Sequence, residues 1–343
     1  MDNSGSIAEQ RPKVQFYPDN QQKHLFKSVS KPSHSSFKVI QDGEFDTNSK
    51  LGSHKNKDNY ENVLKSKLEL NKNYAPRSDF SARNVSYSAH VFYYAWYANP
   101  ETDGEWLHWN HEYMPNWNKQ DTRIYPTGKH DPDLNDIGAN FYPQLGCYSS
   151  ADDNVISNHM EQIRKAGIGV LVLSWYPPST SDEHGKPVDR LLPKLLDAAD
   201  QQNLKIALHV EPFHNRTAFS FRACLEYVMK TYANHPALYK VKLPGRRRPL
   251  PLYYIYDSYT LSSDEWQRLF SLNGDLSVRN TNLDGIFLGL LVDFKHRADI
   301  KNGKFDGFYT YFAANGFSHG SSLKNWHSLN MFSKVLNSVV ILY

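Results

Sequence analysis

The sequence predicts a parallel α/β fold, a (β/α) TIM-type barrel left open before its last strand and preceded by a disordered polar tail. Two observations carry this. Apolar strand-like runs alternate with helical patterns from residue 89 onward, the order that gives a parallel sheet with right-handed crossovers. The runs also end alike, in aromatic and polar side chains. They are HVFYYAWY (90–97), VLVLSWYPP (170–178), KIALHVEPF (205–213), LYYIYDSY (252–259), GIFLGLLVD (285–293) and GFYTYFAANG (307–316). A strand that is apolar on both faces needs helices around it, and in parallel α/β architectures the ligand sits at the carboxyl ends of the strands. Six or seven such units with long loops favour a barrel over an open sheet, and a closed barrel takes about eight strands.

The elements follow in order. Residues 1–88 are polar, rich in Ser, Asn, Lys and Asp, and bury too little apolar surface to offset ordering entropy; only 60–71 carries a short helical pattern. Strand one is 90–97, followed by a Trp-, His- and Pro-rich loop to about residue 150. A helix over 153–166 has Asp152 or Asp153 as its N-cap and Gly167 past its end. Strand two is 169–175. Leu191, Leu192, Leu195, Leu196 and Ala199 share one face of a helix over 188–202. Strand three is 204–211, then a helix near 219–233, strand four at 252–256 and a helix near 264–270. Strand five is 285–292, with a short helix at 295–301. Strand six is 308–312, with a helix over 323–337. The β-branched segment Ser338–Tyr343 reads as a seventh strand, and at least one further strand and two helices are expected beyond it.

Composition narrows the function classes. The 343 residues carry a net charge of only +3, which gives no general case for nucleic acid; Arg246–Arg248 is a short proline-bounded triplet that reads as a solvated loop ahead of a nucleic-acid or localisation patch. Cys147 and Cys224 make no disulfide framework and read as free. No apolar run reaches the roughly 18 residues needed to span a bilayer, and no signal peptide is visible. Sequons occur at Asn84-Val85-Ser86 and Asn215-Arg216-Thr217. GxSxG, Walker-type and GxGxxG signatures are absent, which disfavours serine hydrolases, nucleotide hydrolases and dinucleotide enzymes.

Aromatics make up 14% of the chain, with 22 Tyr and 7 Trp. Their place at strand ends, with carboxylates and amides beside them, suits a sugar, which offers C–H faces for stacking and hydroxyls for hydrogen bonds. Glu211, held extended by Pro212, faces the mouth of the predicted barrel; the plainer alternative is a salt bridge to Arg216 or Arg222. Tyr256 and Asp257 end strand four, where Asp257 either serves the site or caps the following turn. Trp175, stopped by two prolines, is placed on the rim as a stacking platform, with a core role as the alternative. Tyr309, Tyr311 and Asn315 close strand six in the same style. His108 and His111 flank Trp109 in the first long loop. Metal binding is possible by spacing, but no carboxylate trio accompanies them, so packing or sugar hydrogen bonding is the favoured reading and no metal is expected. Glycosidic cleavage takes a carboxylate pair; the sequence offers Glu211 and, second, Asp257, with no separation fixed.

The segments HVFYYAWYANPETDGEWLHWNH, DIGANFYPQLGCYSS, IGVLVLSWYPP, LHVEP, YYIYDSY and FDGFYTYFAANGFSHGSS resemble the glycoprotein endo-α-1,2-mannosidases, glycoside hydrolase family 99. The likeness runs from about Ala89 to Leu336. It implies a (β/α) barrel that trims glucosylated mannose from N-glycans with retention and without a cofactor. The sugar's own 2-hydroxyl would form an epoxide-like intermediate assisted by two carboxylates. It implies substrate contacts at Tyr93 or Tyr94, at Trp175, at Glu211 and at Tyr309 or Tyr311. It also implies a Golgi setting, although the anchor of the vertebrate members has no counterpart in the polar segment 1–88. The family's catalytic carboxylates lie in a Glu-Trp-His-Glu motif after the final barrel strand, which is expected beyond Tyr343. The chain is therefore expected to be inactive alone: an incomplete form of the enzyme, a catalytically dead glycan-binding relative, or a non-functional fragment.

Overall fold

The computed structural model describes residues 84–110, 132–133, 137–139, 141–181, 188–243, 247–336 and 339–341. The helix expected at 60–71, most of the polar segment 1–88, His111 and Arg246 lie outside them.

Eight strands form one sheet: β1 (Ser86–Tyr93), β2 (Ile168–Trp175), β3 (Lys205–Val210), β4 (Lys240–Val241), β5 (Leu250–Ile255), β6 (Ile286–Leu290), β7 (Gly307–Tyr309) and β8 (Val339–Ile341). The order is β1-β2-β3-β5-β6-β7-β8, and every pair along it is parallel. The two-residue β4 pairs antiparallel with β5 off this path. Sequence reading missed it, because Lys240–Val241 is too short to show alternation. It also missed α1 (Pro100–Asp103), whose start is marked by Asn99 accepting from the Thr102 amide and a proline at the first helical turn. β1 begins at Ser86, four residues ahead of the expected strand, and ends at Tyr93 rather than Tyr97.

Six longer helices follow the strands. They are α2 (Asp153–Lys165), α3 (Leu192–Gln201), α4 (Ala218–Tyr232), α5 (Ser263–Phe270), α6 (His296–Asn302) and α7 (Trp326–Leu336). Asp152 caps α2 through the amides of Asn154 and Val155, and Gly167 beyond its end takes φ +78°, a left-handed conformation open to glycine at no steric cost. Thr217 and Ser220 cap α4 reciprocally. Neither Cys147 nor Cys224 is in a disulfide.

Strand alternation splits the apolar residues into two cores. The outer layer packs Leu171, Leu173 and Trp175 of β2, Ile206, Leu208 and Val210 of β3, and Tyr253 and Ile255 of β5 with residues of the helices. The inner set contains Val170, Val172, Ala207, Leu252, Tyr254, Ile286, Leu288, Leu290 and Tyr309. The inner face is concave. His90 on β1 lies 2.7 Å from the Tyr254 hydroxyl on β5, and His209 on β3 lies 2.7 Å from the Tyr309 hydroxyl on β7. Each pair spans three strand intervals, about 14 Å on a flat sheet. Rings that far apart touch only if the sheet curls. The fold is thus a curled parallel sheet with helices on its outer face. Among the described residues no helix is long and apolar enough to cross a membrane.

The outer core has a clear anchor. Trp266 on α5 is fully buried, stacks on Phe270, meets Phe221 edge-on and donates its indole N–H to the Ser258 carbonyl at 2.8 Å. Replacing Trp266 with Ala is expected to cost about 3–5 kcal/mol of stability, read from the urea midpoint at constant m-value; a loss under about 1 kcal/mol contradicts this packing.

Candidate functional site

The amino-terminal half of the inner face is aliphatic, and the carboxyl half is not. Residues two apart share a face of a strand, so Ala207 is followed inward by His209 and then by Glu211, just past β3. On β5 the inward sequence is Leu252, Tyr254, Tyr256; on β7 it continues from Tyr309 to Tyr311. These side chains converge. His209 stacks on Tyr311 at 5.6 Å and meets Tyr256 edge-on at 4.9 Å; Tyr256 lies 5.1 Å from Tyr311, and Phe92 of β1 packs 4.8 Å from Tyr311.

Glu211 is buried and accepts from the Ser174 hydroxyl at 2.7 Å. His209 Nδ1 lies 3.4 Å from the same carboxylate oxygen, outside hydrogen-bond geometry, and has no other partner among the described residues. Burial raises the Tyr309 phenol well above its usual pKa, with Glu211 and Tyr256 adding to the rise, so Tyr309 stays protonated and can donate to His209 Nε2. With Tyr309 as the donor, a neutral imidazole carries its proton on Nδ1, the nitrogen beside Glu211. The salt-bridge alternative for Glu211 does not hold. Arg222 pairs with Glu226, and Arg216 donates to the carbonyls of Tyr256 and Asp257 and to Thr260 Oγ1 at 2.7–2.8 Å.

Asp257 does not cap the turn through its side chain. It sits at φ +45°, and its carboxylate accepts from the Tyr259 hydroxyl at 2.7 Å. Burial raises its pKa above the usual carboxylate range. The Tyr259 bond, Arg216 and His209 oppose the rise, and Glu211 adds to it. The Arg216 guanidinium holds both residues after β5 and lies 5.9 Å from the Trp266 ring centre. Burial lowers its pKa, with Asp257 first among the charges that oppose this.

The other expected residues fall elsewhere. Trp175 is not on the rim: it is fully buried in the outer layer and donates its indole N–H to Asp189 at 2.8 Å. Alternation explains this, since Trp175 is one residue out of phase with the inward Ser174. Tyr93 also points outward, with its hydroxyl 3.0 Å from His159 of α2. Tyr94 is in phase with Phe92 and stacks on Trp96 at 4.4 Å; Trp96 in turn stacks on His108 at 4.4 Å. Trp109 is 2% exposed and donates to the Tyr148 carbonyl, a packing role. Exposed Asn315 uses Oδ1 to accept from the Leu323 amide. No group of three or more His, Cys, Asp or Glu able to hold a metal occurs among the described residues. His209, Ser174 and Arg216 were not singled out from sequence as site residues, although His209 lies two positions before Glu211 and period two alone would have found it.

The glycosyl hydrolase family 99 model matches residues 84–342. The chain belongs to glycosyl hydrolase family 99. It is 48% identical over 256 residues to a glycoprotein endo-alpha-1,2-mannosidase of Xenopus laevis, covering 75% of this chain and 57% of that protein. It is 47% identical over 257 residues to the rat protein of the same name, covering 75% and 55%. The structure of the GH99 endo-alpha-mannosidase of Bacteroides thetaiotaomicron superposes with a TM-score of 0.63 at 36% identity, over 76% of this chain and 71% of that one. The chain thus spans about half the length of these animal relatives.

The raised Asp257 pKa carries a sign. The folded state holds this proton more tightly than the unfolded state, so its contribution to stability falls as pH rises from the unfolded carboxylate range, near 3.8, through the raised folded value. Replacement of Asp257 with Asn keeps the acceptor for Tyr259 and suits the positive φ. The variant is expected to be more stable than the parent at pH 7, with the gain shrinking toward pH 3. A gain that is constant with pH, or a loss, in urea unfolding at both pH values contradicts the buried-carboxylate account.

Proposed function

We propose that the carboxyl end of the curled sheet holds a branch of a mannose-containing N-glycan. On this reading the chain is part of a retaining endo-α-1,2-mannosidase that trims glucosylated mannose, in a Golgi setting, from a (β/α) barrel of which this chain carries the larger part. The observation that supports it best is the inward convergence of Tyr254, Tyr256, Tyr309 and Tyr311 around His209 and the buried Glu211. Aromatic edges and faces offer stacking for C–H-rich sugar surfaces, and Glu211 and the phenols offer partners for hydroxyls. Glu211, Tyr256, Asp257 and Tyr311 are the contacts proposed here, with Tyr94 at the β1 side of the same face; Tyr309, fully buried and bonded to His209, holds the imidazole in place. Glu211 would accept from a sugar hydroxyl while Ser174 fixes its orientation. Family membership and relatives named as endo-alpha-1,2-mannosidases support the substrate class.

The Glu-Trp-His-Glu motif that the family resemblance associates with cleavage occurs nowhere in the 343 residues. The chain on its own is therefore proposed to bind without cutting, as a catalytically silent glycan binder would. Calorimetry with a glucosyl-mannose disaccharide tests the binding. The folded chain is expected to bind, and Glu211→Gln to weaken binding about tenfold, as loss of a charge-assisted hydrogen bond does. No binding by the folded chain, or unchanged affinity in Glu211→Gln, contradicts the cleft assignment. Release of disaccharide from a glucosylated mannose substrate by the purified chain contradicts the proposed silence.

A further inference from the structure

A second polar cluster lies outside the aromatic cleft, where α6 and α7 begin after β6 and β7. Arg297 of α6 lies with its guanidinium 4.6 Å from the Phe294 ring centre and 5.3 Å from that of Phe332. It donates through Nη2 to the Ser328 hydroxyl at 2.8 Å, and the same Nη2 sits 3.3 Å from His319 Nε2. Its Nε is buried without a hydrogen-bond partner among the described residues. No carboxylate pairs with it among the described residues, and burial alone lowers its pKa, with no acidic neighbour opposing. Arg297 is only half-buried, so the unusual feature is its enclosed Nε, since buried donors are ordinarily satisfied.

The Asn325 amide nitrogen lies 3.0 Å from both the His319 carbonyl and His319 Nδ1. With that nitrogen as donor, Nδ1 accepts, and the ring proton of the neutral imidazole sits on Nε2. Nε2–H then faces the Arg297 Nη2–H donor at 3.3 Å. Turning the amide over would only move the conflict, since its oxygen would then face the His319 carbonyl. With the proton assigned to Nε2 by the Asn325 contacts, the 3.3 Å Arg297–His319 approach sets donor against donor. The Ser328 hydroxyl accepts from Arg297, which leaves its own hydrogen to give. Burial first, then Arg297 and Lys324, lower the His319 pKa, and Asp293 opposes them.

We infer that Arg297, His319 and Ser328 form a binding site for a tetrahedral oxyanion of the phosphate class, either free or as a phosphate ester on a sugar. The guanidinium presents a fork suited to phosphate oxygens, and the imidazole N–H and serine hydroxyl supply donors from other directions. An oxygen between Nη2 and Nε2 resolves the donor conflict and supplies the missing negative charge. Exposed Phe294, edge-on to His319 at 5.4 Å, offers a flank for a sugar ring carrying the ester. The site shares no residue with the proposed glycan cleft and stands independently of it.

Calorimetric titration of the full chain in chloride buffer tests this, with inorganic phosphate, methyl α-mannoside 6-phosphate, methyl α-mannoside and acetate as separate ligands. Phosphate is expected to bind, and methyl α-mannoside, which reports only on the glycan cleft, is expected to behave the same in Arg297→Gln as in the parent chain. Arg297→Gln is expected to weaken phosphate about tenfold or more, and Ser328→Ala, which removes a single hydroxyl, roughly threefold. Tighter binding of the ester than of free phosphate assigns the site to a phosphorylated sugar; equal affinity assigns it to the free ion. Absence of phosphate binding by the folded chain, equal affinity for acetate, or phosphate affinity unchanged in both variants overturns the inference. If Arg297→Gln does not fold, Ser328→Ala decides alone.

Discussion

Hydrogen bonds that cross the concave face of the sheet set the geometry of everything else. His90 meets Tyr254 and His209 meets Tyr309, each across three strand intervals. Phe92 reaches Tyr311 across five, about 24 Å of flat sheet. The strands must therefore curl until side chains from opposite arms share one space. Curling brings the inward ends of β3, β5 and β7 together and turns a set of strand ends into a cleft. The helices enforce the curl from outside by burying Leu171, Leu208, Ile255 and Phe287.

The same enclosure explains the chemistry of the cleft. Glu211 is only 6% exposed, and its orientation is set by the Ser174 hydroxyl and the nearby imidazole. Tyr309 is held protonated by burial, so its hydroxyl can donate to His209. Arg216 acts one layer out. By binding the carbonyls of Tyr256 and Asp257 it steadies a turn whose positive φ would otherwise be costly, and that turn delivers Tyr256 to the cleft.

The strand and helix order was legible because each strand is a short apolar run and each long helix has a cap or a periodic face. Asp152, Gly167 and the Leu191–Ala199 face mark α2 and α3 in sequence as they do in space. The parallel pairing followed from the alternation of elements. The site was legible only in part. Glu211, Tyr256, Asp257 and Tyr309 are brought together, but Trp175 and Tyr93 point to the outer layer. The error lay in weighting residue type over phase: an aromatic at a strand end looks like a platform, yet one position decides which face it joins. His209 and Ser174 were legible by the same period. Arg216 was not, because its role comes from a loop folding back on carbonyls 40 residues away, for which sequence carries no local signal.

Membership of glycosyl hydrolase family 99 gives the cleft its proposed ligand, and the curl gives it its shape. The curl is thus the central claim, and a double-mutant cycle on His209→Phe and Tyr309→Phe tests it most directly. The two residues are 100 positions apart in the chain, on strands that are not neighbours. A coupling energy of about 1 kcal/mol or more in urea unfolding is the result expected of a bond across a curled sheet. Strictly additive effects would mean that these side chains do not meet and that the inner face is not closed in this way.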